Sequence, residues 1–263
     1  MGVIYMKILN FGSLNIDYVY SVDHFVQKGE TISSSQMNIF SGGKGLNQST
    51  ALGRAGAQVF HAGRIGKGGE FLVEQLKEAG VNTDLVVLDS QCSTGHAIIQ
   101  NDAEGDNCIL LYGGANQRIT KEQIDATLDQ FDAGDYLVLQ NETSNLPYLM
   151  EKAAEKQMKI VLNPSPMDEK IKALPLDKVT LFFVNEIEAA QILGQKELES
   201  TQEAAAAFRS MFPQAAVVLT LGSQGSSYPP SARAKAQKRH WTWHQERLQL
   251  QCQDQGQHHL YRL

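Results

Sequence analysis

Cysteine is scarce in this sequence, and no apolar run is long enough to cross a membrane. The three cysteines, Cys92, Cys108 and Cys252, form no paired framework and lack the spacing of metal ligands. This pattern is typical of a reducing compartment, so we expect a cytoplasmic protein. The opening run, MGVIYMKILNFGSL, is interrupted by Lys7 and Asn10 and shows no cleavage pattern. We therefore expect a first strand there, and neither a signal peptide nor a membrane anchor.

Positive charge is also in short supply. The chain has 23 lysine and arginine residues against 29 aspartate and glutamate residues, which gives a formal net charge of -6. This balance argues against nucleic acid or an anionic membrane as the main partner. Two nucleotide-binding motifs are missing as well. Lys44 is followed by Gly45, so there is no P-loop of the type GxxxxGK followed by Ser or Thr, and no GxGxxG opens a first βαβ unit.

The apolar pattern predicts an α/β fold. A chain of 263 residues with 42% hydrophobic residues can bury a full core. From residue 120 onward, apolar strands alternate with helices, which predicts right-handed crossovers and a parallel sheet covered on both faces. The predicted strands are 7–15, 59–65, 136–140, 159–163, 181–184 and 216–221, and the predicted helices are 70–79, 121–131, 147–157, 186–193 and 202–211. Weakly alternating segments at 18–22 and 30–39, and a hairpin of 93–100 with 108–111, predict a small antiparallel flap.

The stretch from Ser41 to Gly56, SGGKGLNQSTALGRAG, is the strongest candidate for a binding site. Glycines let a ligand approach the main chain closely, and a loop that feeds a helix N-terminus offers free N–H donors. Lys44 adds a full positive charge, and Asn47 follows it on the predicted helix, whose packed face we expect to hold Ala51, Leu52 and Ala55. A plain strand-to-helix turn is the alternative, but the lysine and the asparagine favour a site for a hydroxyl-rich or anionic small molecule.

Further polar residues follow the predicted strands. Because ligands bind at the carboxyl ends of strands in open α/β sheets, we expect these residues to lie along one rim. They are Asn15, Asp17, Glu142, Asn163, Asn185 and the loop that begins at Thr220. Each one alone is more typical of a helix cap or a loop hydrogen bond, but a common rim for all of them is harder to assign to capping. Asn185 and Glu188 share a face at a helix start, where Glu188 could hold Mg²⁺ through water or could simply complement the helix N-terminus.

Five motifs occur in an order and at spacings that resemble a known family. They are GSLNID, SGGKGLNQSTALGRAG, NPSP, VNEIEA and TLGSQGS. Together they resemble the ribokinase family, within the wider PfkB group of sugar kinases, from about residue 7 to residue 226. The resemblance implies a ribokinase-like αβα sandwich with a mostly parallel central sheet, a small β lid and a missing C-terminal part. We expect the incomplete domain to span 1–226, with lid strands within about 17–43 and 93–112.

The resemblance also implies a function and its residues. The reaction would transfer the γ-phosphoryl group of ATP to a sugar, giving D-ribose 5-phosphate if the sugar is D-ribose. The sugar would be bound by Asn15, Asp17, Gly42, Gly43, Lys44, Gly45, Asn47 and Glu142. ATP would be bound by Asn185, Thr220, Gly222, Ser223, Gln224 and Gly225, with Glu188 near Mg²⁺. Two copies would pair through the lid, and full-length relatives would add a monovalent-cation site that is missing here.

The sequence departs from this family after Gly225. The family continues into a GAGD-type motif, whose aspartate is the general base and whose glycines form an anion hole at a helix N-terminus, and no such motif is present. The end of the chain is instead rich in histidine, glutamine and basic residues. We considered a nucleic-acid segment, a histidine metal site, and a shifted reading frame or aberrant splice that makes 227–263 an aberrant or disordered tail, and we favour the last.

This departure leaves no catalytic residue identified, because Asp254 has no glycines before it. We therefore expect a ribokinase-family protein with weak or no turnover. The alternative is a non-catalytic isoform that binds sugar or pairs with intact subunits.

Overall fold

The computed structural model describes residues 6–198 and 200–228, and the chain in this part forms two sheets with helices. The strands are β1 (Ile8–Phe11), β2 (Asn15–Ser21), β3 (Gln36–Gly42), β4 (Val59–Lys67), β5 (Asn82–Ser93), β6 (Gly95–Asn101), β7 (Asn107–Tyr112), β8 (Tyr136–Gln140), β9 (Lys159–Asn163), β10 (Val179–Asn185), β11 (Ala216–Thr220) and β12 (Ser226–Ser227). The helices are α1 (Lys44–Arg54), α2 (Glu70–Glu78), α3 (Lys121–Leu128), α4 (Leu146–Glu155), α5 (Glu186–Ile192) and α6 (Thr201–Met211).

The larger sheet has the strand order β12-β11-β10-β9-β8-β1-β4-β5. Its strands are parallel except for the edge strand β12, which is antiparallel to β11. Side chains alternate between the two faces, so Leu9 and Phe11 of β1 join a core cluster with α3, α4, α5 and α6. A second cluster, in which Leu46 of α1 packs with Leu72 and Leu76 of α2, covers the opposite face beside β4. The architecture is an αβα sandwich, and the predicted fold class is confirmed.

The smaller sheet forms the lid, with the order β3-β2-β6-β7. In it β2 is antiparallel to β3 and parallel to β6, and β6 and β7 form the expected hairpin. The lid is tied to the larger sheet at its root, because β2 starts at Asn15, four residues after β1 ends at Phe11. Its strands lie at 15–21, 36–42, 95–101 and 107–112.

Two local predictions are wrong. The sequence analysis missed β5 and assigned residue 93 to the lid, whereas Ser93 ends β5 and pairs with Lys67. The apolar part of β5, LVVL, has only four residues and is flanked by aspartates, so the sequence did not indicate a long strand at the edge of the sheet. On α1, Ala51 and Ala55 are exposed, and the buried residues are instead Gly45, Leu46, Ser49 and Thr50. The helix buries its first two turns, where it meets the strands, and exposes its end.

The described part of the chain ends shortly after the last strand. Ser227, which we had placed in the tail, pairs with Leu219 at the sheet edge. The remainder of the predicted tail, 229–263, lies outside the described residues, and so do Cys252, Asp254 and the clustered histidines. Within the described residues, no helix is long and apolar enough to cross a membrane.

Candidate functional site

The glycine loop before α1 packs directly against the turn that follows β1. Gly43 precedes the helix with φ 94°, a conformation that favours glycine. A Cβ atom on Gly45 would lie 2.4 Å from the Ser13 backbone nitrogen, so only glycine permits this approach. The Leu46 N–H donates to the Ser13 carbonyl at 2.9 Å. The first turn of α1 is therefore fixed against the end of the first strand.

The Glu142 carboxylate joins this loop to the neighbouring strand β8, which it follows in the chain. Its Oε2 atom accepts a hydrogen bond from the Lys44 backbone N–H at 2.9 Å and another from the Ser13 hydroxyl. The Ser13 Oγ in turn accepts from the Gly45 N–H at 3.2 Å. These contacts hold one oxygen of Glu142 in place and leave the other available to a ligand.

Asp17 approaches the same loop from the lid. Its carboxylate lies so close to Gly42 that a Cβ atom there would be 2.1–2.3 Å from the carboxylate atoms. Burial and, to a smaller extent, the negative charge of Glu142 together raise the pKa of Asp17 to about 6, while Lys44 opposes the shift. Two carboxylates and a lysine thus lie close enough to influence one another. Holding two carboxylates this close lowers the stability of the ligand-free protein. The same carboxylates can accept hydrogen bonds from the hydroxyl groups of a ligand.

Most residues that we predicted to bind sugar come together here. Asn15 is buried at the start of β2, on the same lid face as Asp17, because the two are two positions apart on a strand. Gly42, Gly43, Lys44 and Gly45 form the loop between the lid and α1. Asn47 lies on the exposed side of the first turn of α1, and its backbone N–H donates to the Gly43 carbonyl of the loop at 3.0 Å.

Sequence reasoning missed three residues that shape the site. They are Ser13, which binds Glu142, and Asn116 and Gln117 of the short 3₁₀ turn Gly114–Arg118. Gln117 Nε2 donates to the Glu142 carbonyl at 2.8 Å. A serine or an asparagine in a turn is usually a local cap. The only available signal was the position of Ser13 inside GSLNID, beside the predicted Asn15.

A buried cluster of hydrogen-bonded polar side chains lies between the glycine loop and the larger sheet. Asn10 Nδ2 donates to the Gly45 carbonyl and to Ser49 Oγ, each at 2.8 Å. The Ser49 hydroxyl lies 2.7 Å from His61 Nδ1, and Gln140 Nε2 donates to Asn10 Oδ1 at 3.0 Å. Burial lowers the pKa of His61 to about 4, against a smaller opposite effect of the Gly12 carbonyl, so the imidazole is neutral at pH 7. Strands β1, β4 and β8 are joined to α1 by these bonds.

The residues predicted to face a nucleotide lie farther along the same rim. Asn185 and Glu188 form a capping box: the Glu188 N–H donates to Asn185 Oδ1 at 2.8 Å, and Glu188 Oε2 accepts from the Asn185 N–H at 3.0 Å. Thr220, at the end of the adjacent strand β11, is paired with Asn185 of β10. The following loop is exposed and contains Gly222, Ser223, Gln224 and Gly225, with positive φ at both glycines. Within residues 6–198 and 200–228, no group of three or more acidic, histidine or cysteine side chains could hold a metal ion.

Comparisons with known proteins match the chain to one family. A model of the pfkB family of carbohydrate kinases matches residues 6–238. Ribokinase of Staphylococcus aureus is 34% identical over 233 residues, which cover 84% of this chain and 75% of that enzyme. Ribokinase of Haemophilus influenzae is 32% identical over 220 residues, which cover 81% of this chain and 71% of that enzyme. A solved structure, ribokinase from Cryptococcus neoformans in complex with ADP, has a TM-score of 0.74 at 30% identity and covers 87% of this chain and 77% of its own.

The fold and the site together define a carbohydrate kinase, a phosphotransferase that acts on a sugar. The chain belongs to the pfkB family of carbohydrate kinases, among relatives that are ribokinases. The family predicted from the five motifs is confirmed.

Proposed function

We propose that this protein binds D-ribose between the lid and the glycine loop. The observation that supports this most strongly is the convergence of Asp17 and Glu142 on the loop around Lys44. Carboxylate and amide groups bind several hydroxyls in a fixed geometry, as a sugar requires. The sugar would contact Asn15, Asp17, Gly42, Gly43, Lys44, Gly45, Asn47 and Glu142. The choice of ribose is supported by the ribokinase relatives that are 32–34% identical.

The same proposal places ATP beside the ends of β10 and β11. Asn185 and the loop from Thr220 to Gly225 are exposed or half-buried there. The Gly225 N–H already donates to the Gly222 carbonyl, so the N–H groups of Gly222 and Ser223 are the ones proposed to bind phosphates. The Cryptococcus neoformans relative, solved in complex with ADP, supports a nucleotide as the second ligand.

Mg²⁺ would accompany the nucleotide, and the single carboxylate of Glu188 fits a water-mediated contact in which the phosphates supply the other ligands. Glu188 uses Oε2 in its capping box and has a second oxygen that could accept from metal-bound water. When bound, the ion would neutralise phosphate charge. The protein would contribute the position of this carboxylate, which the cap holds at the helix start.

We further propose that turnover by this polypeptide is weak or absent. Its sequence has no GAGD-type segment, so no residue is assigned to remove the proton from the sugar hydroxyl. An assay of ADP release that requires both ATP and D-ribose tests this directly, and a rate typical of sugar kinases would contradict it. A non-catalytic sugar-binding protein is the second candidate. Calorimetry with D-ribose, with and without an ATP analogue, separates the two, because a non-catalytic binder should show no coupling between the ligands.

Pairing of two copies through the lid is part of the same proposal. Strand β7 lies at the lid edge and is exposed along its whole length, with Ile109, Leu110, Leu111 and Tyr112 each about half exposed or more. An apolar edge strand of this kind is normally covered by another chain.

A further inference from the structure

Asn116 is a buried amide that contacts two segments of the candidate sugar site. It is only 1% exposed, in the 3₁₀ turn between the lid and α3. Its Oδ1 accepts a hydrogen bond from the Leu14 N–H at 3.0 Å, and its Nδ2 donates to the Leu14 carbonyl at 3.2 Å. The same Nδ2 donates to Asn15 Oδ1 at 2.8 Å. Within the described residues, this is the hydrogen bond that the Asn15 side chain makes.

These bonds fix which way each amide points. A backbone N–H must face an oxygen and a backbone carbonyl must face an N–H, so the two contacts with Leu14 allow a single orientation of the Asn116 amide. Its second N–H then requires an acceptor, and this requirement turns Asn15 Oδ1 toward it. The Asn15 Nδ2 group is left facing away, and it donates to no residue that the structure describes.

From this geometry we infer that Asn116 is a positioning residue for the sugar site, which makes Asn15 present an N–H donor, and not its oxygen, to a sugar hydroxyl. The inference rests on the proposed function, since it concerns the same site. A ligand oxygen next to Asn15 must therefore accept. Asp17, two residues further on the same face, offers an acceptor, so the lid presents a donor and an acceptor side by side.

The neighbouring strand β6 leaves space for the hydrogen bond between Asn116 and Asn15. Gly95 is paired with Asn15, and a Cβ atom on Gly95 would lie 2.2 Å from Asn116 Nδ2 and 2.4 Å from Asn15 Oδ1. Glycine at this position is thus what allows the two amides to meet. The Asn116 carbonyl also accepts from the Ser144 N–H at 3.1 Å, which ties the same turn to the segment that carries Glu142.

The substitution Asn116→Asp tests the inference, because it keeps the shape and the bond from Leu14 but removes both donors. Asn15 would then turn its N–H groups toward the new carboxylate and present its oxygen to the ligand. On the full chain we expect about tenfold weaker D-ribose binding by calorimetry, the effect of one mismatched polar contact. Ser144→Ala is the matched control, since it removes only a hydrogen bond to the Ile119 carbonyl in the same region, and it should leave the affinity unchanged.

Two further measurements separate positioning from a general loss of structure. In an Asn15→Ala background, Asn116→Asp should cause no additional loss of ribose affinity, because Asn116 acts through Asn15. Full additive loss, or equal affinities of Asn116→Asp and Ser144→Ala, would overturn the inference.

The side-chain NH₂ signal of Asn15, identified by its absence in Asn15→Ala, should shift in ligand-free Asn116→Asp in the manner of a newly formed hydrogen bond. If the native chain binds no ribose, the proposed function fails, and this NMR signal still decides the inference: an unchanged signal would contradict it.

Discussion

At the scale of single residues, Asp17 shows the conflict between stability and binding most clearly. Its carboxylate is held near Glu142 in a partly buried position, and the pKa of about 6 lies above the ordinary value of 3.8. The folded protein therefore binds this proton more tightly than the unfolded chain. The resulting stability is present below about pH 4 and is lost as the pH rises to about 6. Above that, the charged Asp17 destabilises the ligand-free protein.

The substitution Asp17→Asn should remove this penalty. We expect its melting temperature to exceed that of the native chain by about 3 °C at pH 7.5, with the difference shrinking toward zero near pH 4. Thermal scans of both proteins across this range measure it. Asp23→Asn, which changes an exposed carboxylate just beyond the same lid strand, is the control and should show no such trend. A melting temperature that is lower than the native value at pH 7.5 would contradict the electrostatic account.

The charged residues of the candidate site could be predicted from the sequence, and some of the uncharged polar ones could not. Asp17, Lys44 and Glu142 could be found because charged groups next to glycines and strand ends are unusual. Ser13 and Asn116 could not, since such residues occur in many turns. What distinguishes Asn116 is its partners, Leu14 and Asn15, about a hundred positions away, and a single sequence contains no information on those contacts.

At the scale of secondary-structure elements, α1 depends on a polar cluster and not on apolar packing alone. Asn10, Ser49 and His61 form a buried chain of hydrogen bonds between the helix and the sheet. Asn10→Ala should destabilise the protein by about 2 kcal/mol, because it leaves the bonding groups of Ser49 and Gln140 unsatisfied in a buried site. The triple change Asn10→Val, Ser49→Ala, His61→Phe should recover part of that stability, since it removes Ser49 and His61 together with Asn10 and leaves Gln140 in place. Urea unfolding measures both, and a triple variant less stable than Asn10→Ala would contradict the account.

The same cluster predicts a pH dependence of opposite sign to that of Asp17. The pKa of His61 is about 4 in the fold and 6.5 ordinarily, so the unfolded chain takes up the proton first. Stability from the neutral imidazole is complete above pH 6.5 and is lost as the pH falls to about 4. We expect the triple variant to lose less stability than the native chain over this interval in thermal scans. Identical acid dependence of the two proteins would show that His61 does not titrate as described.

The capping box of α5 allows the contribution of Asn185 to stability to be measured separately from any contribution to nucleotide binding. Asn185→Ala removes the cap of α5, and Ser200→Ala removes the corresponding cap of α6, where the Glu203 N–H donates to Ser200 Oγ. Each should cost about 1 kcal/mol of stability. If Asn185 also binds the nucleotide, only Asn185→Ala should weaken the binding of an ATP analogue in calorimetry. Equal affinities of the two variants would leave Asn185 as a cap alone.

Strands and helices could be predicted from the sequence where the apolar pattern was clear. The strands β8 and β9 were placed at their observed limits, because each is a short apolar run between polar turns. β5 was missed, since aspartates flank its apolar core at a sheet edge. The packed face of α1 was wrong because its buried surface contains the polar residues Ser49 and Thr50, which do not follow an apolar period. Ser49 bonds to Asn10 and His61, whereas the buried Thr50 Oγ1 has no hydrogen-bond partner among the described residues.

At the scale of the whole molecule, the lid leaves an apolar edge that two copies could share. Leu110 on β7 is 67% exposed, and Ile187 on α5 is 70% exposed. If the lid forms the contact between copies, Leu110→Glu should convert a dimer into a monomer, whereas Ile187→Glu should not. Light scattering after size-exclusion chromatography gives the masses. A native chain that is monomeric, or a dimer that survives Leu110→Glu, would contradict pairing through the lid.

Titration of D-ribose into the purified 263-residue chain by calorimetry is the most direct test of the central claim, that the lid and the lysine loop form a sugar site. We expect saturable binding that is lost in Asp17→Asn, even though that variant melts at a higher temperature at pH 7.5. Absence of binding by the native chain, or equal binding by Asp17→Asn, would contradict the account.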